Sequence, residues 1–292
     1  MSIRPRRSIL YVPGDNGRAL EKARALAADG FILDLEDAVA PDAKLLARQS
    51  VVAAVAERRY GARETIVRIN DYNTPWGRED LAAAAAAGPD AILIPKVTCP
   101  GDIMHAAKDL REAGAPDHTA LWAMMETPIA MLNADSILRT AADPASRLSV
   151  IVMGTNDIAK ETRARLTPGR ASIMTWLSTC VVAARAYSVE IIDGVYNDFS
   201  DAAGFRQECL QGRDLGMDGK SLIHPNQIAT CNEIFAPPAD EILWASKVIS
   251  AFSAPENAEK GVLQVEGRMV ERLHAEMARR TMQIAEAIAA LA

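Results

Sequence analysis

A short apolar run followed by a helical pattern recurs along this chain at intervals of roughly 30 residues, near the size of one strand–helix unit. The runs are Ser8–Val12, Phe31–Leu35, Thr65–Ile69, Ala91–Val97, Ala120–Thr127, the start of Leu148–Asp157, Glu190–Val195 and Asp218–Ile223. Short apolar runs bounded by turn residues read as strands covered on both faces. Eight such units in about 235 residues predict an α/β fold, a (β/α)8 TIM barrel. A doubly wound open sheet is the alternative, because periodicity alone does not show closure.

The connecting segments carry helix signals. Asn16 opens a first helix with Leu20, Ala23, Leu26 and Ala27 on one face. Pro41 and Asp42 open a second, with Leu45, Leu46, Val52 and Val55 as its apolar positions. Thr74 and Pro75 cap a third, whose body is Leu81–Ala87 and whose stop is Gly88. The tail beyond Pro237–Pro238 has another pattern: a helix over Asp240–Phe252, a polar link over Ser253–Gly267 and a long helix over Met269–Leu291, with Met269, Leu273, Met277 and Met282 spaced for packing. The predicted domains are therefore a barrel over 1–236 and a C-terminal helical arm or lid over 237–292.

Composition excludes several classes. The 38 acidic against 32 basic residues give a net charge of −6, which argues against nucleic-acid binding through bulk charge. No apolar run approaches a membrane span, and the basic N-terminus leads straight into a strand, without a signal peptide's long apolar region. Cys99, Cys180, Cys209 and Cys231 are scattered and form no CxxC pair, so free thiols in a reducing cytoplasm are expected.

In a parallel barrel the C-terminal strand ends converge on one face. Those ends carry Glu36, Asp37, Arg68, Asn70, Lys96, Glu126, Asp157, Asp193, Lys220 and His224. Two neighbouring apolar runs end in Glu126 and in Gly154-Thr155-Asn156-Asp157. A pair of carboxylates there suits Mg²⁺, which keeps waters and takes one or two carboxylates plus substrate oxygens. The plainer alternative is that each acid caps the helix after it. Arg68 is a planar donor fork suited to a substrate carboxylate, or to an ion pair with a rim acid such as Glu36. Lys96 suits a Schiff base or, more plainly, an ion pair. Asn16, Arg18 and Lys22 at a helix start suit a phosphate or a solvated face. No GxGxxG, GxxxxGK[ST] or GxSxG motif occurs.

The set RSILYVPG (Arg7–Gly14), LDLEDAV (Leu33–Val39), VRIN (Val67–Asn70), IPKV (Ile94–Val97), ET (Glu126–Thr127), GTND (Gly154–Asp157) and GKSLIHP (Gly219–Pro225) resembles the citrate lyase beta subunit-like branch of the HpcH/HpaI aldolase superfamily, which includes malyl-CoA, citramalyl-CoA and citryl-CoA lyases. The resemblance implies a Mg²⁺-dependent enzyme that cleaves a carbon–carbon bond of a 3-hydroxyacyl-CoA, giving an α-oxo acid and an acyl-CoA. It implies Glu126 and Asp157 as metal ligands, Arg68 as the catalytic group on the substrate oxygens, Gly154 and Thr155 against the substrate, and Glu36 and Asp37 around metal-bound water. Tyr11 and Lys22 would meet the CoA nucleotide. It also implies a homo-oligomer, trimer or hexamer. The run GRMVERL (Gly267–Leu273) resembles the family's lid motif, with Glu271 where an Asp is usual. In such lyases that acid works at the thioester end. One extra methylene displaces a catalytic group, so a malyl-CoA thioesterase, or a subunit dependent on a citrate lyase complex, stands beside the lyase reading.

Overall fold

The computed structural model describes residues 3–257 and 259–291. Its parallel strands are β1 (Ser8–Pro13), β2 (Gly30–Asp34), β3 (Glu64–Arg68), β4 (Ala91–Ile94), β5 (Ala120–Met125), β6 (Leu148–Met153), β7 (Glu190–Asp193) and β8 (Gly219–Leu222). Each pairs with the next, and β1 closes on β8 with Ile9 beside Ser221 and Leu10 beside Leu222. The fold is a closed (β/α)8 TIM barrel, not an open sheet. The strands are shorter than the apolar runs, so Asn70, Lys96, Glu126 and His224 stand beyond strand ends.

Helices α1 (Gly17–Ala23), α2 (Lys44–Ala56), α3 (Gly77–Ala87) and α4 (Pro100–Glu112) follow the first four strands. Short α5 (Pro128–Leu132) and α6 (Ala134–Arg139) follow β5, and α7 (Thr155–Thr162) and α8 (Met174–Ala186) follow β6. After β7 and β8 come α9 (Ala202–Leu215) and α10 (Ile228–Phe235). Local chemistry explains the starts and stops. Asn16 accepts the Ala19 N–H at 3.0 Å and Thr127 the Ala130 N–H at 3.1 Å, satisfying first-turn donors. Gly88 ends α3 in the left-handed region, at φ 69°, where a Cβ would be strained.

Side-chain alternation along each strand decides what faces the barrel axis. Ile9, Ile32, Ile66, Leu93, Trp122, Val150, Val152 and Ile192 form one buried apolar cluster. Two residues further along the same parity, the stripe turns polar: Tyr11, Asp34, Arg68 and, past Met124, Glu126. Two residues the other way it is polar too. Glu64 and Glu190 both pair with Arg6, whose guanidinium is bidentate on Glu64 at 2.6 and 2.8 Å and lies 5.3 Å from the Trp122 ring centroid.

Residues Arg6–Asn232 form one compact unit, and the chain from Glu233 onward, with the residues before Arg6, forms another. The second contains α11 (Ala239–Ser253), an antiparallel hairpin of β9 (Val262–Val265) and β10 (Arg268–Glu271), and α12 (Arg272–Leu291). This corrects two expectations. The polar link contains a strand, and the last helix begins at Arg272, because Gly267 at φ 81° turns the chain into a hairpin. The packing face differs in part: Ala275 and Ala278 are buried on α12 and Met282 packs against their cluster as expected, while Met269, Leu273 and Met277 are exposed. On α2, likewise, Ala47, Val51, Ala54 and Val55 are buried, and Leu45 and Leu46 are exposed at 59% and 58%. In both helices the small alanines allow close approach, which a reading of large apolar residues overlooks.

Among the described residues no helix is long and apolar enough to cross a membrane. All four cysteines are free; Cys180, Cys209 and Cys231 are buried and Cys99 is half-buried.

Candidate active site

A cavity of about 310 Å³ opens at the C-terminal mouth of the barrel. Its wall includes Tyr11, Asp34, Asp37, Arg68, Met124, Glu126, Gly154, Thr155 and Asp157. This is the face where barrel enzymes place their chemistry.

Arg68 is held by Asp34, an acid the strand-end reading passed over. Its Nε and Nη2 each donate at 2.6 Å to the two oxygens of Asp34. Backbone N–H groups of Glu36 and Ala38 complete the Asp34 carboxylate, at 2.9 and 3.1 Å. Burial opposes ionisation of Asp34, but Arg68 outweighs it and holds the carboxyl below its usual range. The remaining edge of the guanidinium, Nη1, lies 2.8 Å from Glu36 and 3.6 Å from Asp37. The Tyr11 ring covers Arg68, 4.8 Å from centroid to Cζ. Burial pushes the Glu36 carboxyl up to about 8, against the pull of Arg68 and with the push of Glu126 and Asp37.

Glu126 is fully buried just past β5. It does not cap α5; Thr127 does. Its Oε1 accepts the Lys96 backbone N–H at 2.7 Å, and its Oε2 has no hydrogen-bond partner among the described residues. Burial pushes this carboxyl up to about 7, against Lys96. Gly154 makes room for it, since a Cβ there would lie 2.3 Å from that of Glu126. Asp157 lies in the first turn of α7, where an acid is favoured by the helix dipole. The Lys96 ammonium stands 2.9 Å from Asp157 and 3.6 Å from Glu126. Lys96 has φ 54°, a left-handed conformation costing a non-glycine residue of order 1–3 kcal/mol. That backbone turn aims its N–H at Glu126.

The donor set fits a hard divalent cation. Among the described residues no three His, Cys, Asp or Glu side chains form a metal cage, but Mg²⁺ needs only one or two carboxylates. Glu126 supplies a buried oxygen with no other use, and Asp157 a half-buried one. Carboxylates outnumber cations here: Asp34, Glu36, Asp37, Glu126 and Asp157 face Arg68 and Lys96.

Other expected residues lie elsewhere. Asp193 and Lys220 do not line the cavity: with Arg170 and Glu208 they form a buried cluster, at 2.7 Å from Asp193 to Arg170, 2.9 Å to Lys220, and 2.8 Å from Lys220 to Glu208. Each sits one residue from an inward position and so points outward. Asn70 is structural, donating to the Leu35 carbonyl at 2.8 Å and to Asp80 at 2.6 Å. His224 caps the turn Pro225–Gln227, its Nδ1 accepting the Asn226 N–H. Arg18 and Lys22 are exposed on α1, and neither lines the cavity. Glu271 ends β10 in the second unit, its N–H donating to His274 Nδ1 at 2.9 Å.

Residues 7–225 match the family HpcH/HpaI aldolase/citrate lyase. A (3S)-malyl-CoA thioesterase of Cereibacter sphaeroides is 51% identical over 98% of this chain and 96% of its own. The citrate lyase subunit beta of Escherichia coli is 33% identical over 97% and 94%. The crystal structure of CitE from Mycobacterium tuberculosis, in complex with magnesium, acetoacetate and coenzyme A, superposes with a TM-score of 0.75 at 27% identity, covering 96% of this chain and 97% of CitE. With a family match across the barrel and relatives above 30% identity along nearly its whole length, the chain belongs to the HpcH/HpaI aldolase/citrate lyase family.

Proposed function

We propose that the protein hydrolyses the thioester of a short 3-hydroxyacyl-CoA with a second carboxylate, malyl-CoA foremost, in a Mg²⁺-dependent reaction. The observation that carries the site is the buried, unpartnered oxygen of Glu126 beside Asp157. The likeness to the Cereibacter thioesterase supports the substrate and the bond broken. Glu126 and Asp157 would hold the Mg²⁺, whose chemistry when bound would be Lewis-acid polarisation of substrate oxygens; water adds to the thioester carbonyl and the CoA thiol leaves.

The chain's own residues do the rest. Arg68, fixed by Asp34 and stacked on Tyr11, offers Nη1 to a substrate oxygen; its charge is already balanced, so it orients more than it attracts. Thr155 and Asn156 begin α7, whose first-turn N–H groups lack helical acceptors and suit a carboxylate or developing oxyanion. Met124, Met153 and Val195 line the cavity and give the acyl chain an apolar wall. Glu271 is the acid–base group of this proposal at the thioester end, and the assembly is a homo-oligomer, trimer or hexamer.

The second reading is Claisen-type cleavage of the same substrate to an oxo acid and acetyl-CoA, favoured by the likeness to citrate lyase subunit beta. One assay separates the two. Purified protein with malyl-, citramalyl- and citryl-CoA is expected to release free CoA and hydroxy acid from malyl-CoA, to stop with EDTA and to resume with Mg²⁺. Glu126→Gln should abolish turnover with an unchanged circular-dichroism spectrum. Oxo acid with acetyl-CoA would establish the lyase instead. Undiminished turnover in Glu126→Gln would refute the metal assignment.

A further inference from the structure

We propose that Lys96 and a divalent cation compete for the same two carboxylates, so that cation binding drives the Lys96 ammonium out from between Glu126 and Asp157. This rests on the Mg²⁺ reading above. Three observations carry it.

The first is position. The ammonium bridges Asp157 at 2.9 Å and Glu126 at 3.6 Å. Mg²⁺ binds oxygen at about 2.0–2.1 Å in octahedral geometry. A magnesium ion drawing on both acids would need the space and the charge that the ammonium now supplies.

The second is the division of labour within Lys96. Its backbone N–H, aimed by φ 54°, holds Glu126 Oε1 at 2.7 Å. That hydrogen bond belongs to the main chain and persists wherever the side chain goes. Glu126 therefore stays in place while its counter-ion is exchanged.

The third is a place to go. Lys96 also lines a separate cavity of about 200 Å³, with Asp71, Arg78, Thr98, Asp102 and His105. Two carboxylates there, Asp71 and Asp102, give the ammonium an acidic wall to move to; Asp102 keeps its Oδ2 on Thr98 and Cys99. A flexible four-carbon stem carrying a compact charge suits such a swing, and a planar guanidinium, which would clamp both acids, does not.

The test uses the full-length protein, MgCl₂ or MnCl₂ alone, and the variants Lys96→Met and Lys96→Arg. Calorimetry should show the cation dissociation constant falling at least tenfold in Lys96→Met. Lys96→Arg should bind the cation no tighter than the parent. Thermal unfolding gives a second readout that does not depend on turnover. Lys96→Met should lower Tm in EDTA but leave Tm in saturating Mg²⁺ near the parent value. Equal dissociation constants, or equal Tm losses with and without Mg²⁺, would overturn the competition while leaving the Mg²⁺ reading intact. If the parent itself binds neither cation, both fall together.

Discussion

Glu36 shows how the barrel mouth couples chemistry to stability. Its folded-state carboxyl is pushed up from 4.5 to about 8 by burial. The native protein therefore holds this proton more tightly than the unfolded chain does. Stability must fall as pH rises from about 4.5 to about 8, by at most about 1.4 kcal/mol per pH unit from this group. Urea unfolding in EDTA at pH 5, 6.5 and 8 should show that decline, and Glu36→Gln should reduce it, most of all above pH 7, leaving the share of Glu126, whose carboxyl is raised to about 7. An equal slope in both proteins would place the titration elsewhere. The strand-end motif drew attention to Glu36, Asp37 and Arg68 together. What it missed was Asp34, which takes the fork of Arg68. The clue was present: Asp34 lies two residues beyond inward-facing Ile32, as Arg68 does beyond Ile66.

At the scale of the strand, that same parity explains what the sequence reading could and could not see. Eight strand–helix units and the carboxylates Glu126 and Asp157 were legible, because long apolar runs stop abruptly at them. Asp193 and Lys220 also stand at the ends of apolar runs, yet they point away from the axis, since their neighbours Ile192 and Ser221 face in. Counting residues from the apolar layer would have separated them. Their role is to tie β7, β8 and α9 together. Removing one member of a fully buried pair costs about 3–5 kcal/mol. Lys220→Met should therefore lower Tm by roughly 10 °C, at about 2–4 °C per kcal/mol for a domain of this size, while kcat per folded molecule stays near the parent value. A thermal shift within error would show that Arg170 alone suffices to compensate Asp193.

Across the whole molecule, the barrel was more legible than the tail. Barrel strands are specified by runs of six or so residues each. The hairpin of β9 and β10 is exposed along most of its length, with only Val265 and Val270 buried, so its pattern resembles a polar link. Glu271 falls at the end of that hairpin. Under the proposed function it takes part in proton transfer, a contribution of typically 10²–10⁴-fold. Glu271→Gln should cut kcat at least a hundredfold and leave the Mg²⁺ dissociation constant unchanged. Full activity in that variant would remove Glu271 from the mechanism.

The polar cluster around Arg6 lies at the opposite end of the apolar layer from the cavity. Arg6, Glu64 and Glu190 are not part of the cavity wall. Part of the barrel's stability is thus set on a different floor of the shaft from the one that carries the cavity. A laboratory seeking a hardier catalyst could remodel the lower floor and leave the cavity wall as it is.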